Sequence, residues 1–410
     1  MALNVGIGFV TGRKHFQNVL RSYVNNWLEH GLIDERKIRL HLFVAYDLKY
    51  HSTAVGDYKN IPSELVGMVD SIHFYGADKI EQETQKLIDA GIINNKEGDL
   101  IFGEGYGKKR NAVMYFAIKH KMDRLVFIDD DEYPIATLKN EYGKIIWMGQ
   151  SVVGTHIKYS VDADITHGHH CGYISPIPLI RFDDVLSEMD FKQFIEAISN
   201  DIISWEKIKR TVIQNQGVTY ASSDIINKSL TGEVEEENGM KFISGANLCF
   251  NLKNFKKLPP FYNPPGARGE DTFMSTALTE LKVVKVPCYT FHDGFMRYNN
   301  LLNGVLPVSF ESIDSVSPSD LKRFTSATIG WIRYKPLLVY ITQREKYEAT
   351  MAEIEENLKL TIPKLCKHFK TTDFEKVLLE FAYYRKNVSK HYGDFETSKK
   401  SWIRVMNSMG

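Results

Sequence analysis

The sequence predicts an α/β chain with a mostly parallel sheet, followed by a helical C-terminal domain. Three observations predict it. Short apolar runs alternate with stretches of helical periodicity through roughly the first third of the chain. One run, "RLVFI", leads straight into four carboxylates, "DDDE", which places an acidic cluster at the carboxyl end of a buried strand. After Ser317 the periodicity becomes helical.

The elements follow in order. "NVGIGFVTG" is an apolar run ending in Thr-Gly, a first strand. Next comes a helix with Phe16, Val19, Leu20, Val24, Trp27 and Leu28 on one face, stopped by Gly31. "IRLHLFVAYDL" is a second strand ending near Asp47, and "DSIHFYG" a third. "KIEQETQKLIDAG" is a helix stopped by Gly91, and "KKRNAVMYFAIKHK" is a helix that delivers the chain into "RLVFIDDDE". The order β-α-β-β-α-α-β puts ligands at the carboxyl ends of the strands.

The middle, about 135–240, is an irregular insertion. "SVVGTHIKYSV" reads as a strand, "HGHHCGYISPIP" as a turn, "DFKQFIEAISNDIISWEKIKRTV" as one helix, and "YASSDIINKSLTGEVEEENGM" as an exposed loop. "KFISGANLCFNL" and "VVKVPCYTFHDG" are further strands. "SPSD" opens the C-terminal helices, with Ser317 as cap, Pro318 at the first helical position and Asp320 at the third. The expected division is 1–310 for the α/β part and 311–410 for the helical part.

Composition excludes some classes. Lys plus Arg equals Asp plus Glu, 51 each, so no overall charge favours nucleic acid. Residues 311–410 hold 17 Lys/Arg against 13 Asp/Glu, a mild excess compatible with peripheral association at a membrane. The four cysteines form no CxxC pair, and no apolar stretch has transmembrane length. The start of the chain lacks the pattern of a signal peptide, so a cytoplasmic protein is expected.

The chemistry concentrates at Asp129, Asp130 and Asp131. In extended backbone alternate residues share a side, so Asp129 and Asp131 would face one ligand and Asp130 another. Such oxygens suit Mg²⁺ or Mn²⁺ bridging to a diphosphate, whereas the bland alternative is a solvated acidic turn. Glu270 and Asp271 head a helix; they are comfortable there as caps, and Asp271 is placed to accept a proton from a hydroxyl. A second D-x-D, Asp162 and Asp164, lacks a preceding buried strand. His167, His169, His170 and Cys171 lie too close together for a usual zinc site, so a polar loop on the acceptor side, with His169 and His170 in it, competes with ordinary turn residues.

Taken in order, "FVTGR", "GKKRNAVMYFAIK", "RLVFIDDDEYP", "SGANLCFNL" and "GEDTFMSTAL" resemble the motifs of glycosyltransferases of the GT-A (Rossmann-like) fold, most of all the large inverting family of nucleotide-sugar transferases. The resemblance covers roughly residues 3–300. It implies a metal-dependent transfer of sugar from a UDP- or GDP-linked donor to a carbohydrate or lipid-linked hydroxyl, in bacterial-type glycan or glycoconjugate assembly. It implies that Asp129 meets the ribose, Asp131 the Mn²⁺ or Mg²⁺, and Asp271 serves as base. Thr11 and Arg13 match the position that meets the nucleotide, with Asp47 or Asp78 on its base and Arg110 near the base or diphosphate. Asp130, Gly245, Asn247 and Glu270 belong to the same motifs, and His292 stands where several such enzymes place a third metal ligand. The chain departs from the family in lacking the arginine after the "ED" and any QxxRW, which argues against a processive synthase. The alternatives are a nucleotidyltransferase acting on sugar phosphates, for which "GFVTGRKHF" only partly matches the expected Gly-rich loop, and a non-catalytic nucleotide- or sugar-binding module.

Overall fold

The computed structural model describes residues 2–33, 37–200, 205–298, 301 and 305–409. Eleven strands run along it: β1 (Leu3–Thr11), β2 (Ile38–Tyr46), β3 (Ser71–Tyr75), β4 (Arg124–Ile128), β5 (Glu132–Tyr133), β6 (Ile135–Lys139), β7 (Ile145–Gly149), β8 (Ile165–Tyr173), β9 (Gly232–Glu233), β10 (Leu248–Asn251) and β11 (Val283–Asp293). Nine of them form one sheet in the order β3-β2-β1-β4-β10-β8-β11-β5, with β9 on β11; β6 and β7 pair separately. The β3-β2-β1-β4 half is parallel, as expected. β10 then enters antiparallel to both β4 and β8, and β5 and β9 pair antiparallel with β11. The sheet is therefore mixed, and the antiparallel turn-around of β10 is what brings its first residues to the carboxyl end of β4.

Apolar cores lie on both faces. The helix Tyr106–Lys119 packs Val113 and Ala117 against Val10, Leu125 and Phe127. On the other face the helix Phe16–Glu29 buries Phe16, Leu20 and Trp27 against Phe9, Val126 and Ile128. The C-terminal helices Pro318–Thr342, Tyr347–Phe369, Glu375–Lys386 and Val388–Ser408 share cores with the rest. Trp402 packs beside Phe102 and donates from Nε1 to the Leu258 carbonyl at 2.9 Å, while Ile332 and Leu338 join Tyr262 and Phe273. Ser317 caps its helix by accepting from the Asp320 N–H, as the sequence predicts.

Several local expectations change. "SVVGTHIKYSV" holds the helix Val152–Tyr159, because Val152, Val153 and His156 fall on one buried helical face and outweigh β propensity. "HGHHCGYISPIP" begins with most of β8 rather than a turn: β11 pairs along it as far as Tyr173 and β10 pairs with the start of β8, so its backbone gains ladder hydrogen bonds. The single helix expected near 190–212 is, among the described residues, Glu188–Ile198 and then Trp205–Lys209 running on into a π-helical turn, Arg210–Gln214; residues 201–204 lie outside the described set. The expected loop after Tyr220 includes a short helix, Ser223–Asn227, and β9. Only Leu248–Asn251 of "KFISGANLCFNL" is strand, so Gly245 lies in irregular chain.

Candidate active site

The acidic cluster sits at the carboxyl edge of the parallel half, but the three aspartates do not alternate as expected. β4 ends at Ile128 and the chain turns, with the Glu132 N–H reaching the Asp129 carbonyl at 3.3 Å. Asp129 goes to one side and Asp130 and Asp131 together to the other. Two-residue alternation holds only while the backbone stays extended.

On the first side, Arg110 Nη2 donates to Asp129 Oδ1 at 2.7 Å, and Tyr106 donates to the same oxygen at 2.8 Å. Arg110 Nη1 donates to the Gly245 carbonyl, and Nε stands 3.8 Å from Glu270 Oε1. Arg110 is only 1% exposed. It is a buried brace whose charge is met by protein oxygens. A Cβ on Gly245 would come 3.1 Å from Arg110 Nη2, so the absent side chain is part of the fit.

Gly245 also carries the link to the "ED" helix. Its N–H donates to Asp271 Oδ2 at 3.2 Å, while the Thr272 N–H donates to Oδ1 at 2.8 Å. Gly269, at φ 88°, makes the left-handed entry into this helix, Glu270–Ser275. Burial raises Asp271 above the ordinary carboxylate range, against the two N–H donors and Arg110. Burial, with the adjacent Asp271, also pushes Glu270 up to about 7.

On the second side, Thr11 Oγ1 donates to Asp130 Oδ2 at 2.6 Å. Arg13 Nη1 bridges Asp130 Oδ1 at 3.0 Å and Asp131 Oδ2 at 2.6 Å. His292 Nε2 lies 3.4 Å from Asp131 Oδ1. Burial pushes Asp130 up to about 7 despite Arg13. Burial would raise Asp131 too, but His292 and Arg13 hold it well below the usual carboxylate range. Burial would lower His292, yet the Asp131 charge raises it to about 9. A crevice lined by Arg13, His15, Asp130, Asp131, Tyr133, Asp293 and Met296 opens beside this group.

The remaining candidates lie at different distances from the chemistry. Asp47 is paired with Lys109 at 2.7 Å, and Asp78 is exposed in the first turn of the helix Ala77–Asp89. Asn247, at φ 49°, accepts on Oδ1 from His156 at 2.9 Å and donates to the His169 carbonyl at 2.9 Å. Its amide fills the space over Gly168, where a Cβ would come 2.1 Å from Nδ2. His169 stacks on Tyr289, and His170 Nδ1 meets Glu132 at 3.2 Å and Thr290 at 3.1 Å. Asp164 is at the far edge of the sheet, accepting from the Lys282 N–H, so the second D-x-D is remote from the site. The four residues weighed for zinc diverge: His167 meets Lys285, and Cys171 faces the Thr137 N–H. Among the described residues no three His, Cys, Asp or Glu side chains converge as a metal site.

The sequence reading missed the partners that organise this edge. Tyr106, Lys109, Thr290 and Arg323 are among them, since each reaches the site only through tertiary contacts. Tyr106, Lys109 and Arg110 share one helix end, and that spacing was the only available signal.

No protein-family profile matches the chain, and no curated protein matches it. Among solved structures, the apo crystal structure of mouse xyloside xylosyltransferase 1 is similar at 13% identity and a TM-score of 0.21, over 48% of this chain and 58% of that one. A likeness of this extent does not reach to activity. Among the described residues no helix is long and apolar enough to cross a membrane.

Proposed function

We propose that this chain transfers a sugar from a nucleoside-diphosphate donor to an acceptor hydroxyl with inversion. The observation that supports it is the bridge through Gly245. One residue accepts from the arginine that holds Asp129 and donates to Asp271, so the acidic turn and the "ED" helix are fixed to one another at a single edge. Asp271, half-buried and raised in pKa, takes the acceptor proton as the hydroxyl oxygen attacks the anomeric carbon and the bond to the diphosphate oxygen breaks. Its two N–H donors fix the carboxylate in place and leave its remaining lone pairs for the acceptor.

The resemblance also implies a divalent ion. Asp131 and His292 are the side chains proposed to hold it, a carboxylate and an imidazole that suit Mn²⁺ better than Mg²⁺. With Asp130 they do not converge as a three-ligand site among the described residues, and His292, whose proton the Asp131 charge favours, must lose that proton before it can ligate. Arg13 now bonds both carboxylates, so an ion must share or take over that contact. When bound, such an ion neutralises charge on the leaving diphosphate. Residues after about 311, together with His169 and His170, are proposed to bear on the acceptor.

The test is a panel of UDP- and GDP-sugars with and without Mn²⁺, following release of nucleoside diphosphate and the anomeric configuration of the product. Metal-dependent release that disappears in Asp271→Asn is the expected result. No release from any donor sinks the proposal, and a retained anomeric configuration removes Asp271 as base.

A further inference from the structure

A diphosphate needs cations, and the expected ones at this edge are already engaged. Arg110 is buried on Asp129 and the Gly245 carbonyl, Lys109 is on Asp47, and Arg13 is on Asp130 and Asp131. Two other arginines come to the same edge from distant parts of the chain. Arg323 lies in the second turn of the C-terminal helix Pro318–Thr342, and Arg268 precedes the "ED" helix.

Arg323 is close to the acidic turn. A Cβ built on Gly294 would stand 2.9 Å from Arg323 Nη2 and 2.9 Å from His292 Cε1, so the guanidinium and the imidazole flank one point. Its guanidinium rests over the Phe295 ring, 4.9 Å from the centroid. Among the described residues it has no ion-pair partner, and its Nε is buried without a hydrogen-bond partner. Burial lowers its pKa, Asp131 raises it, and the charges of Arg13 and Arg268 lower it further. Arg268 is exposed, packs its stem over Gly330, and likewise has no ion-pair partner among the described residues.

We infer that Arg323, seconded by Arg268, is an anion-binding arm that the C-terminal helix extends into the site to hold the diphosphate of the donor. This rests on the proposed glycosyl transfer for its ligand, but not for its geometry. Asp131 lies near Arg323, but no carboxylate among the described residues bonds its guanidinium, and a buried N–H without an acceptor is unfavourable in a way that a bound polyanion relieves. A guanidinium over an aromatic ring still has N–H groups for bidentate bonds to phosphate oxygens, which an ammonium cannot reproduce. The C-terminal helices thereby become part of donor binding as well as of the fold.

The experiment is calorimetric titration of the full chain with inorganic pyrophosphate in metal-free buffer, and with UDP, GDP, uridine and guanosine in the presence of Mn²⁺. Arg323→Gln is expected to weaken pyrophosphate and the nucleoside diphosphates about 10-fold, Arg323→Lys less, and the nucleosides not at all. Arg268→Gln, an exposed change that spares the fold, is expected to weaken the same ligands by a few-fold. Circular dichroism and the thermal midpoint check that each variant is folded. Unchanged affinity in folded Arg323→Gln, or no binding of pyrophosphate, UDP or GDP by the parent, overturns the inference. Pyrophosphate binding that depends on Arg323, without any nucleotide binding, keeps the anion site and removes glycosyl transfer. Sugar transfer indifferent to Arg323 does the reverse.

Discussion

Arg110 and Asp129 form a salt bridge of 2.7 Å at the foot of the acidic turn, with the arginine 1% exposed. The guanidinium also holds the Gly245 carbonyl and faces the rings of Tyr106, Phe127 and Phe261. Removing one partner of such a pair leaves a charge without compensation. Arg110→Met is therefore expected to destabilise the protein by about 3–5 kcal/mol, read from denaturant unfolding. A loss below about 1 kcal/mol would mean that the brace is not what fixes this edge.

Asp271 is the proposed base, and its substitution separates chemistry from binding. Asp271→Asn keeps a side chain of the same shape but removes the proton acceptor. Transfer is expected to fall by about 10²–10⁴-fold, with UDP or GDP affinity within about 2-fold of the parent. Near-normal turnover would leave Asp271 as a helix-start residue only.

Arg13 and the divalent ion address the same carboxylates, so their variants are expected to act in opposite directions. Asp131→Asn should weaken Mn²⁺ binding, measured by paramagnetic resonance without nucleotide, by at least about 10-fold. Arg13→Gln should strengthen it by a few-fold, because Asp130 and Asp131 lose their internal cation. If Arg13→Gln weakened Mn²⁺ binding instead, the guanidinium would be an ally of the ion and the competition would be refuted.

His156 supplies a pH dependence of stability. It is wholly buried, with Thr166 at 2.8 Å on Nδ1 and Asn247 at 2.9 Å on Nε2, and burial lowers its pKa to about 4. Unfolded, the ring titrates near its ordinary value of 6.5. Between those two values the unfolded chain takes up a proton that the folded chain refuses. Stability is thus full above pH 6.5, falls as pH drops toward 4, and has lost this contribution below that, by up to about 3 kcal/mol. His156→Gln should flatten that part of the profile of unfolding free energy. An identical slope in the variant would assign the acid loss to other groups.

The parallel half of the sheet was legible because its signals are local. Apolar runs set β1, β2, β3 and β4, helical periodicity set the helices Phe16–Glu29, Ala77–Asp89 and Tyr106–Lys119 but not the shorter Gly56–Lys59, Ser63–Val66 and Asn95–Phe102, and "SPSD" set the start of the C-terminal helices. The second half was harder. β8 carries only polar or small residues in "HGHHCG" and becomes a strand because β11 pairs along it and β10 pairs with its start. The helix Val152–Tyr159 has a β-branched start that only its buried face overrules.

The sequence by itself determined where the candidate residues stand along the elements: Asp129, Asp130 and Asp131 after β4, Glu270 and Asp271 at a helix start, His292 at the end of β11. Only the tertiary structure decided how they divide. The turn after Ile128 sends Asp129 to Arg110 and the other two to Arg13, and the antiparallel entry of β10 places Gly245 between Asp129's arginine and Asp271. Arg323, 193 residues beyond Asp130 in the chain, reaches the same edge through the packing of the C-terminal helix. Periodicity reports the direction of a side chain only while the backbone is regular, and no local pattern records which distant charge folding will bring beside it.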